Sequence, residues 1–346
     1  MLQTAAYRSI DLFAGIGGIR LGFEKAFRGA LHTVFVSEWD VHAQKTYSLN
    51  FKDPFPIAGD ITGVDEEDVP AFDICLAGFP CQAFSYAGKK MGFEDDYKGR
   101  CRGTLFLDVV RICERHKPAV IFCENVKGLI SHDKGRTFET IKSAFEEIGY
   151  VVHWSILNSK DFGVPQNRER VYLVCFRSDI DSTGFSFPFP RKLDLTIRDI
   201  LDPAPIPARY YVSEVGMDWL RRHKAEHEAK GHGFGYVIRP LDGIAGAVLC
   251  GGSGREVNML VDHREHSMVP TTNVKGPVNK DDIRKMTPRE WARLQGFPDE
   301  FRLELADCHL YKQLGNSVTV PVVEAIAGEV LRLLQAREVP PVCLNK

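Results

Sequence analysis

The sequence predicts an α/β protein with a doubly wound open sheet and a second, smaller domain rich in loops. Up to about residue 176, short apolar segments typical of buried strands alternate with amphipathic segments of helical period. Between residues 186 and 300 this alternation is lost, and clusters of proline and glycine take its place. A chain of 346 residues is long enough to bury a large core of this kind.

The composition is that of an ordinary globular protein, with 44% hydrophobic and 26% charged residues. Since there is no apolar run of 18 residues and no leader segment, we expect a cytoplasmic protein without a membrane span. The nine cysteines contain no CxxC pair, which favours free thiols in a reducing compartment. A formal net charge of −2 does not indicate nucleic acid, so any such partner must meet a local basic surface.

The first strand is predicted over residues 7–15, and it leads through the turn Gly15-Ile16-Gly17-Gly18 into a helix over 19–27. The turn departs from the dinucleotide fingerprint GxGxxG, because Arg20 occupies the position of the third glycine. Glycine still lets a ligand approach the backbone closely. The pattern favours a bound nucleotide-type ligand over a purely structural turn.

Side chains suited to an adenosyl ligand follow the first predicted strands. The second strand ends at Glu38, whose carboxylate can accept hydrogen bonds from both hydroxyls of a ribose. Phe13 and Trp39 offer flat faces for an adenine. A short third strand over 57–61 leaves Asp60 near the adenine edge, although Asp60 is also suited to cap a helix or a turn.

A buried strand over residues 72–77 ends at Gly78, and Pro80 stiffens the turn that presents Cys81. Because ligands of open α/β sheets bind at the carboxyl ends of the strands, Cys81 is a candidate nucleophile. The alternative for a single cysteine is a small buried apolar residue. The basic segment 85–102 that follows is either a lid over the site or a solvated surface loop.

Two further strand ends supply charged side chains. An apolar strand ends in Glu124, which we expect to project into the same crevice as Cys81. Arg168 and Arg170 point to one side of an extended chain and suit an anionic or carbonyl-bearing ligand. The alternative is that both arginines form salt bridges with Glu169 and other acids.

The 186–300 region has glycine-rich loops whose polar side chains are able to contact base edges, although such loops are also common without a role. The candidate contacts are Tyr236, Arg239, Arg255 and Asn258. His223 with His227, and His263 with His266, have the spacing of metal ligands. No third ligand at a familiar spacing accompanies either pair, so we expect no metal site.

The C-terminal region contains two helix starts. Thr287 and Glu290 predict a capping box for a helix that ends at Gly296. Gly315-Asn316-Ser317 precedes a last helix over 318–335, and Asn316 or Ser317 is either the N-cap of that helix or part of a site. Because this helix is mostly apolar, we expect it to pack on the amino-terminal domain.

Six motifs occur in one order along the chain. They are Asp11-Leu-Phe-Ala-Gly-Ile-Gly-Gly18, Gly78-Phe-Pro-Cys-Gln82, Glu124-Asn-Val126, Gln166-Asn-Arg-Glu-Arg170, Arg289-Glu-Trp-Ala-Arg-Leu-Gln-Gly-Phe-Pro298 and Gly315-Asn-Ser317. Together they resemble the DNA (cytosine-5) methyltransferases of bacterial restriction–modification systems, over residues 8–176 and 285–330. One departure is visible, since Tyr97-Lys-Gly-Arg-Cys-Arg102 is longer than the corresponding segment of the shortest family members.

The resemblance implies a Rossmann-like sheet of the S-adenosylmethionine-dependent methyltransferase type, with a smaller, loop-rich target-recognition domain. It implies a catalytic, cofactor-binding domain over 1–185 and target recognition over 186–300. Residues 301–346 would then return to the catalytic domain with the C-terminal helix.

The resemblance also implies the chemistry. Cys81 adds to C6 of a cytosine flipped out of duplex DNA, and C5 takes the methyl group of S-adenosylmethionine. Glu124 contacts N3, the Pro80 carbonyl faces the exocyclic amine, and Arg170, together with Arg168, stabilises O2. The cofactor contacts carried over are Phe13, Gly15, Gly17, Glu38, Trp39, Asp60, Ile61, Asn316 and Val318.

The implied partner is double-stranded DNA, with a cognate restriction endonuclease and a monomeric, nucleoid-associated enzyme as further expectations. Residues 230–236 and 251–256 are similar to regions of enzymes that act on CC-x-GG sites. The alternatives are an RNA methyltransferase of the same fold, an NAD-dependent dehydrogenase and a non-catalytic DNA-binding module. The size of the 186–300 region favours DNA over RNA, and Arg20, Cys81 and Glu124 count against the dehydrogenase.

Overall fold

The computed structural model describes residues 6–80, 105–191, 194–233, 235–251, 256–267 and 276–341. Cys81, the predicted lid segment 85–102 and Arg255 lie outside these residues. The chain forms two compact units. The first comprises the described parts of Met1–Asn158, Glu169–Pro190 and Val318–Lys346, and the second comprises those of Ser159–Arg168 and Arg191–Ser317.

Strands and helices alternate through the first unit, whereas the second combines strands of two or three residues with a few helices. The strands are β1 Tyr7–Leu12, β2 Leu31–Ser37, β3 Ile74–Ala77, β4 Val120–Val126, β5 Tyr150–Asn158, β6 Gln166–Asn167, β7 Glu169–Arg177, β8 Ile206–Pro207, β9 Ala245–Gly246, β10 Met259–Val261, β11 His266–Ser267 and β12 Ile283–Lys285. The helices are α1 Gly18–Phe27, α2 Val41–Asn50, α3 Phe106–His116, α4 Gly128–Ser131, α5 Arg136–Glu147, α6 Glu214–Ala229, α7 Pro288–Leu294, α8 Asp307–Asn316 and α9 Val320–Ala336. Within the described ranges, none of these helices is long and apolar enough to cross a membrane.

The first unit is built on a sheet with the strand order β2-β1-β3-β4-β7-β5. Strands β2, β1, β3 and β4 are parallel, and β7 runs antiparallel to both β4 and β5. The chain forms β2 on one side of β1 and then β3 on the other side. This reversal of strand order is the switch point at which open α/β sheets bind their ligands. The predicted open α/β sheet is confirmed.

The last helix returns to the first unit, as predicted. Helix α9 packs against α1 at Gly22, where an added Cβ would lie only 2.7 Å from the side chain of Val323. A glycine at this position therefore lets the two helices approach closely. The chain ends against the same unit in which it begins.

The bounds of the second unit extend past residue 300, where the sequence placed the return to the first domain. Helix α8 belongs to this unit because it packs on α7. The rings of Trp291 and Tyr311 meet edge to face, with their centroids 4.8 Å apart. The Tyr311 hydroxyl also donates to the backbone carbonyl of Met286.

The third strand predicted over residues 57–61 does not form. Ala58 makes a single parallel bridge to Ser37. The Asp60 carboxylate accepts a hydrogen bond from the backbone N–H of Thr62 at 3.2 Å and caps a 3-10 turn. The alternative role of Asp60 as a cap is therefore confirmed, and the turn ends the extended conformation early.

Of the two alternatives for Asn316 and Ser317, the N-cap of the last helix is wrong. Asn316 is the final residue of α8, and the N-cap of α9 is Thr319. Pro321 lies in the first turn of α9, where its missing N–H costs nothing and its fixed φ suits the helix. The helix therefore begins later than the sequence pattern indicates.

A buried ion network holds the second unit together. The Arg284 guanidinium donates to Asp262 Oδ2 at 2.7 Å and to both carboxylate oxygens of Glu290 at 2.8 Å. Arg284 and Glu290 are fully buried, and Asp262 is 2% exposed. Glu290 also closes the predicted capping box, since it accepts from the N–H of Thr287 at 2.8 Å. One carboxylate thus joins strand β12 to the start of α7.

Replacing Arg284 with methionine should destabilise the protein by about 3–5 kcal/mol, because the buried carboxylate of Glu290 loses the guanidinium that binds both of its oxygens. Asp262 keeps its contacts with Arg264. Urea denaturation followed by tryptophan fluorescence measures the loss. The matched control is Arg198→Met, whose pair with Asp242 is 58% and 81% exposed and should contribute less than about 1 kcal/mol. Equal small effects of the two substitutions would contradict the central role of the network.

Candidate active site

The turn after β1 is held in the left-handed region of backbone space. The φ angles are 55° at Phe13, 57° at Gly15 and 84° at Gly17. A non-glycine residue in this region is uncommon and indicates a local constraint. No atom lies within 4 Å of a Cβ built on Gly15, so the backbone there is open to a close approach. A Cβ on Gly17 would instead clash with the ring of Phe51, at 2.2 Å.

Glu38 joins the ends of β1 and β2. Its Oε2 accepts from the N–H of Gly15 and its Oε1 from the N–H of Asp40, both at 2.7 Å. Burial raises the pKa of Glu38, whereas these two hydrogen bonds lower it. Each carboxylate oxygen retains a lone pair for a ligand hydroxyl. The neighbouring Trp39 is 53% exposed and presents a flat apolar face.

Arg20 belongs to a hydrogen-bond network inside the first unit, close to the glycine turn in sequence. Its guanidinium donates to the two carboxylate oxygens of Asp53 at 2.6 and 2.9 Å and to the Tyr47 hydroxyl at 2.9 Å. The Tyr47 hydroxyl in turn donates to Asp11 at 3.3 Å. Burial raises the pKa of Asp11 to about 7, although Arg20 opposes this shift. The sequence gives no local signal for this network, because its members lie on β1, α1, α2 and a loop.

The turn after β3 is fixed by a residue that sequence reasoning missed. The Asn125 side-chain amide donates to the backbone carbonyl of Phe79 at 3.3 Å, and its oxygen accepts from the N–H of Val126 at 2.8 Å. Asn125 and Phe79 are buried, and the half-buried Pro80 follows. Asn125 therefore holds the chain immediately before Pro80. Cys81 itself lies outside the described residues.

Glu124 and Arg170 form an ion pair beside this turn. Strand β4 ends at Val126, so Glu124 lies among its last three residues, opposite Tyr172. The Arg170 Nε lies 3.1 Å from Glu124 Oε1, and the two side chains are 14% and 12% exposed. Because Ala77 at the end of β3 pairs with Cys123, Glu124 is the next residue beyond that end.

Arg168 does not share these contacts. It is 2% exposed, and its guanidinium donates to backbone carbonyls inside the second unit. The predicted projection of both arginines to one side fails because they do not share one strand. Arg168 follows β6, and Arg170 lies within β7. Glu169, the predicted acidic partner, accepts from Lys127 Nζ at 3.0 Å.

The two C-terminal cofactor candidates flank Ser317, the residue at which the second unit ends in the sequence. Asn316, in the second unit, is exposed at the end of α8. Val318, in the first unit, is 4% exposed and precedes α9. Of the cofactor candidates after β2, Ile61 is buried and its carbonyl accepts from Arg111 Nη2 at 2.8 Å.

Two of the predicted base-reading side chains are engaged within the second unit. The Asn258 amide, fully buried, accepts from the N–H of Gly246 at 2.7 Å and donates to its carbonyl at 3.0 Å. Arg239 Nε donates to the same Asn258 at 3.2 Å. These contacts leave Asn258 unsuited to meet a base. Across the described ranges, no three His, Cys, Asp or Glu side chains converge as metal ligands.

The fold is an open α/β sheet with a left-handed glycine turn after β1, a carboxylate after β2 and a charged pair on β4 and β7. This arrangement is typical of α/β enzymes, which bind their ligands at the carboxyl edge of the sheet. The family of C-5 cytosine-specific DNA methylases matches residues 7–332. The chain belongs to this family, and it is a DNA (cytosine-5) methyltransferase. That assignment confirms the predicted family and decides against a dehydrogenase or a non-catalytic module.

Individual relatives agree with the family assignment. The Type II methyltransferase M.HpaII of Haemophilus parainfluenzae is 52% identical over 330 residues, which are 94% of this chain and 89% of that protein. M.HhaI of Haemophilus parahaemolyticus is 38% identical, with 94% of each chain covered. The solved methyltransferase EhMeth of Entamoeba histolytica has a TM-score of 0.70 at 20% identity, covering 96% of this chain and 98% of that one. This last likeness shows the fold.

Replacing Gly17 with alanine should destabilise the first unit by about 1–3 kcal/mol, because the methyl group meets Phe51 and the backbone is strained. Thermal unfolding measures the change. Gly63→Ala is the matched control, since no atom lies within 4 Å of a Cβ there and φ is ordinary. It should be neutral or slightly stabilising. A Gly17 variant as stable as the Gly63 variant would show that the turn tolerates a side chain.

Proposed function

We propose that this enzyme methylates C5 of a cytosine within a specific sequence of double-stranded DNA, with S-adenosylmethionine as the methyl donor. Its relatives M.HpaII and M.HhaI are Type II methyltransferases, which supports this assignment. The observation that carries it is the Glu124–Arg170 pair, 3.1 Å apart, in register with the strand that leads to Cys81. A carboxyl group and a guanidinium are able to stabilise the charge that develops when a thiolate adds to a pyrimidine.

The proposed reaction begins with covalent activation of the base, because C5 of cytosine is a poor nucleophile. The Cys81 thiolate adds to C6, and the electron pair of the C5–C6 double bond makes C5 enamine-like. Bound S-adenosylmethionine would supply an electrophilic methyl group to C5, with cleavage of its S–CH3 bond and S-adenosylhomocysteine as the leaving group. Removal of the C5 proton and departure of the thiolate restore the ring.

The remaining groups stabilise charge as the thiolate adds. Glu124 hydrogen-bonds or protonates N3, and Arg170 stabilises the carbonyl oxygen O2. The Pro80 carbonyl accepts from the exocyclic amine, which distinguishes cytosine from thymine. All these contacts involve base edges that are paired or stacked in a duplex. The cytosine must therefore be flipped out of the helix before it reacts.

The residues after β1 and β2 fit an adenosyl cofactor. Gly15 leaves open space for a close approach, Glu38 has lone pairs for ribose hydroxyls, and Trp39 exposes a face for adenine. Arg20 is held by Asp53 and Glu24, which suits a ligand without a pyrophosphate. The full proposed set is Phe13, Gly15, Gly17, Glu38, Trp39, Asp60, Ile61, Asn316 and Val318.

The predicted domain roles belong to the same proposal. Residues 1–185 and 301–346 would carry catalysis, and 186–300 would recognise the target sequence in DNA. Methylation would protect host DNA from a cognate restriction endonuclease. A cytoplasmic, nucleoid-associated monomer and a CC-x-GG-like target stay predictions.

Methylation of duplex DNA and of tRNA, measured side by side with labelled cofactor, tests the substrate. We expect transfer to DNA, and transfer to tRNA alone would establish the RNA alternative. Bisulfite sequencing of DNA from cells that express the protein then gives the methylated sequence. Scattered methylation without a common sequence would contradict site specificity.

Replacing Cys81 with alanine should abolish methyl transfer, because no thiolate remains to activate C6, while binding of S-adenosylhomocysteine is retained. Transfer of labelled methyl groups and calorimetric titration measure the two properties. Cys308→Ala is the control, since Cys308 is an exposed free thiol on α8. A Cys81 variant with turnover close to that of the control would refute the nucleophile.

Replacing Arg170 with alanine should slow formation of the covalent complex with DNA that contains 5-fluorocytosine, by about 10²–10³-fold. The variant removes the guanidinium that faces Glu124 and is proposed to stabilise O2. Arg136→Ala is the control, because Arg136 is 74% exposed and pairs only locally with Asp133. An unchanged rate of complex formation at saturating cofactor would remove Arg170 from the site.

A further inference from the structure

Two buried polar side chains in the second unit, Arg168 and Gln295, bind the backbone that ends helix α8, and a third, Gln166, binds Gln295 and Val248. Gln166 and Gln295 are fully buried, and Arg168 is 2% exposed. We call them the backbone clamp. Their amide and guanidinium groups bind main-chain atoms of the segment 314–317 and of Val248.

Arg168 makes three of these contacts. Its Nη1 donates to the carbonyl of Val248 at 2.8 Å, and its Nη2 donates to the carbonyls of Gly315 at 3.2 Å and Ser317 at 2.7 Å. A planar guanidinium with five N–H donors can bind several carbonyls at fixed angles, which an ammonium cannot reproduce. Its charge also suits the carbonyl-rich end of a helix.

Gln295 and Gln166 complete the clamp. Gln295 Nε2 donates to the carbonyls of Leu314 at 2.8 Å and Ser317 at 3.0 Å. Gln166 Nε2 donates to Gln295 Oε1 at 3.0 Å, and Gln166 Oε1 accepts from the N–H of Val248 at 2.9 Å. Each glutamine thereby orients another member of the clamp.

The segment that the clamp holds has little freedom of its own. The last carbonyls of a helix lack partners within the helix, so outside donors determine how the chain leaves it. A Cβ on Gly315 would lie 2.4 Å from the backbone nitrogen of Cys250, so the two backbones are in direct contact. Asn316 nevertheless stays exposed. The clamp thus fixes the main chain while leaving that side chain available.

We propose that Arg168 is a positioning residue that sets the backbone of 315–317 for cofactor binding, and that it does not touch the cytosine. The inference rests on the proposed function, in which Asn316 and the following Val318 contact S-adenosylmethionine. It assigns the two arginines of one motif to different tasks. Arg170 acts on the base, and Arg168 acts through the main chain.

The test compares Arg168→Ala with Arg170→Ala in the full-length enzyme. Arg168→Ala should raise the Kd for S-adenosylhomocysteine and the KM for S-adenosylmethionine by about tenfold or more, as expected for lost charged hydrogen bonds. Covalent-complex formation at saturating cofactor should change less than about threefold. Arg170→Ala should show the reverse pattern. Arg168→Lys should recover only part of the affinity, because the planar fork is lost.

Gln295→Met keeps the proposal falsifiable if Arg168→Ala fails to fold. It removes two contacts to 314 and 317 without changing a charge, and it should also weaken cofactor binding. Arg302→Ala, at an exposed pair with Glu304, is the control and should leave both constants unchanged. Unchanged cofactor affinity in folded Arg168 or Gln295 variants overturns the inference, as does slow covalent addition by Arg168→Ala at saturating cofactor. A wild-type enzyme that methylates no DNA would instead refute the proposed function.

Discussion

Parallel pairing of β1, β3 and β4 is the constraint on which the candidate site depends. Ala77 pairs with Leu12 on one side and with Cys123 on the other, so the turns after β1 and β3 leave the sheet at one edge. Glu124 is the next residue along β4. A slip of one residue would turn its carboxylate to the other face of the sheet. The fully buried residues of β3, 74–77, oppose such a slip, because each of them packs in the core.

Buried polar contacts then determine how each turn leaves that edge. Glu38 holds the N–H of Gly15, 23 residues earlier, and Asn125 holds the carbonyl of Phe79, 46 residues earlier. A single such bond contributes only about 0.5–1.5 kcal/mol, but leaving its buried partner unsatisfied costs more. The turns are therefore fixed before any ligand binds. Fixed turns reduce the reorganisation that binding and reaction require.

The sequence predicted best those elements that short-range patterns along the chain determine. Hydrophobic period and glycine located β2, α1 and the first turn to within a few residues, and Thr287 with Glu290 predicted the capping box of α7. The prediction of a third strand was wrong because the Asp60 side chain stabilises a turn. The residues before Asp60 have a pattern typical of a strand and do not indicate that turn. The predicted start of α9 was wrong because Asn316 and Ser317 are residue types that often cap a helix, although Asn316 here ends α8. The partners of Arg20 and Asn125 depend on tertiary contacts, which spacing along the chain cannot supply.

Arg168 and Arg170 show why spacing in a motif does not assign a role. The two residues alternate correctly for one extended chain, but Arg168 lies between β6 and β7, whereas Arg170 lies within β7. The two residues belong to different units. Arg170 faces a carboxylate at the edge of the sheet, and a carbonyl oxygen of a base can join that pair without leaving a buried group unsatisfied. Arg168 binds main-chain carbonyls in a buried site, and each would lose a hydrogen bond if the guanidinium moved. The groups that surround each guanidinium therefore determine whether that arginine is able to bind a substrate.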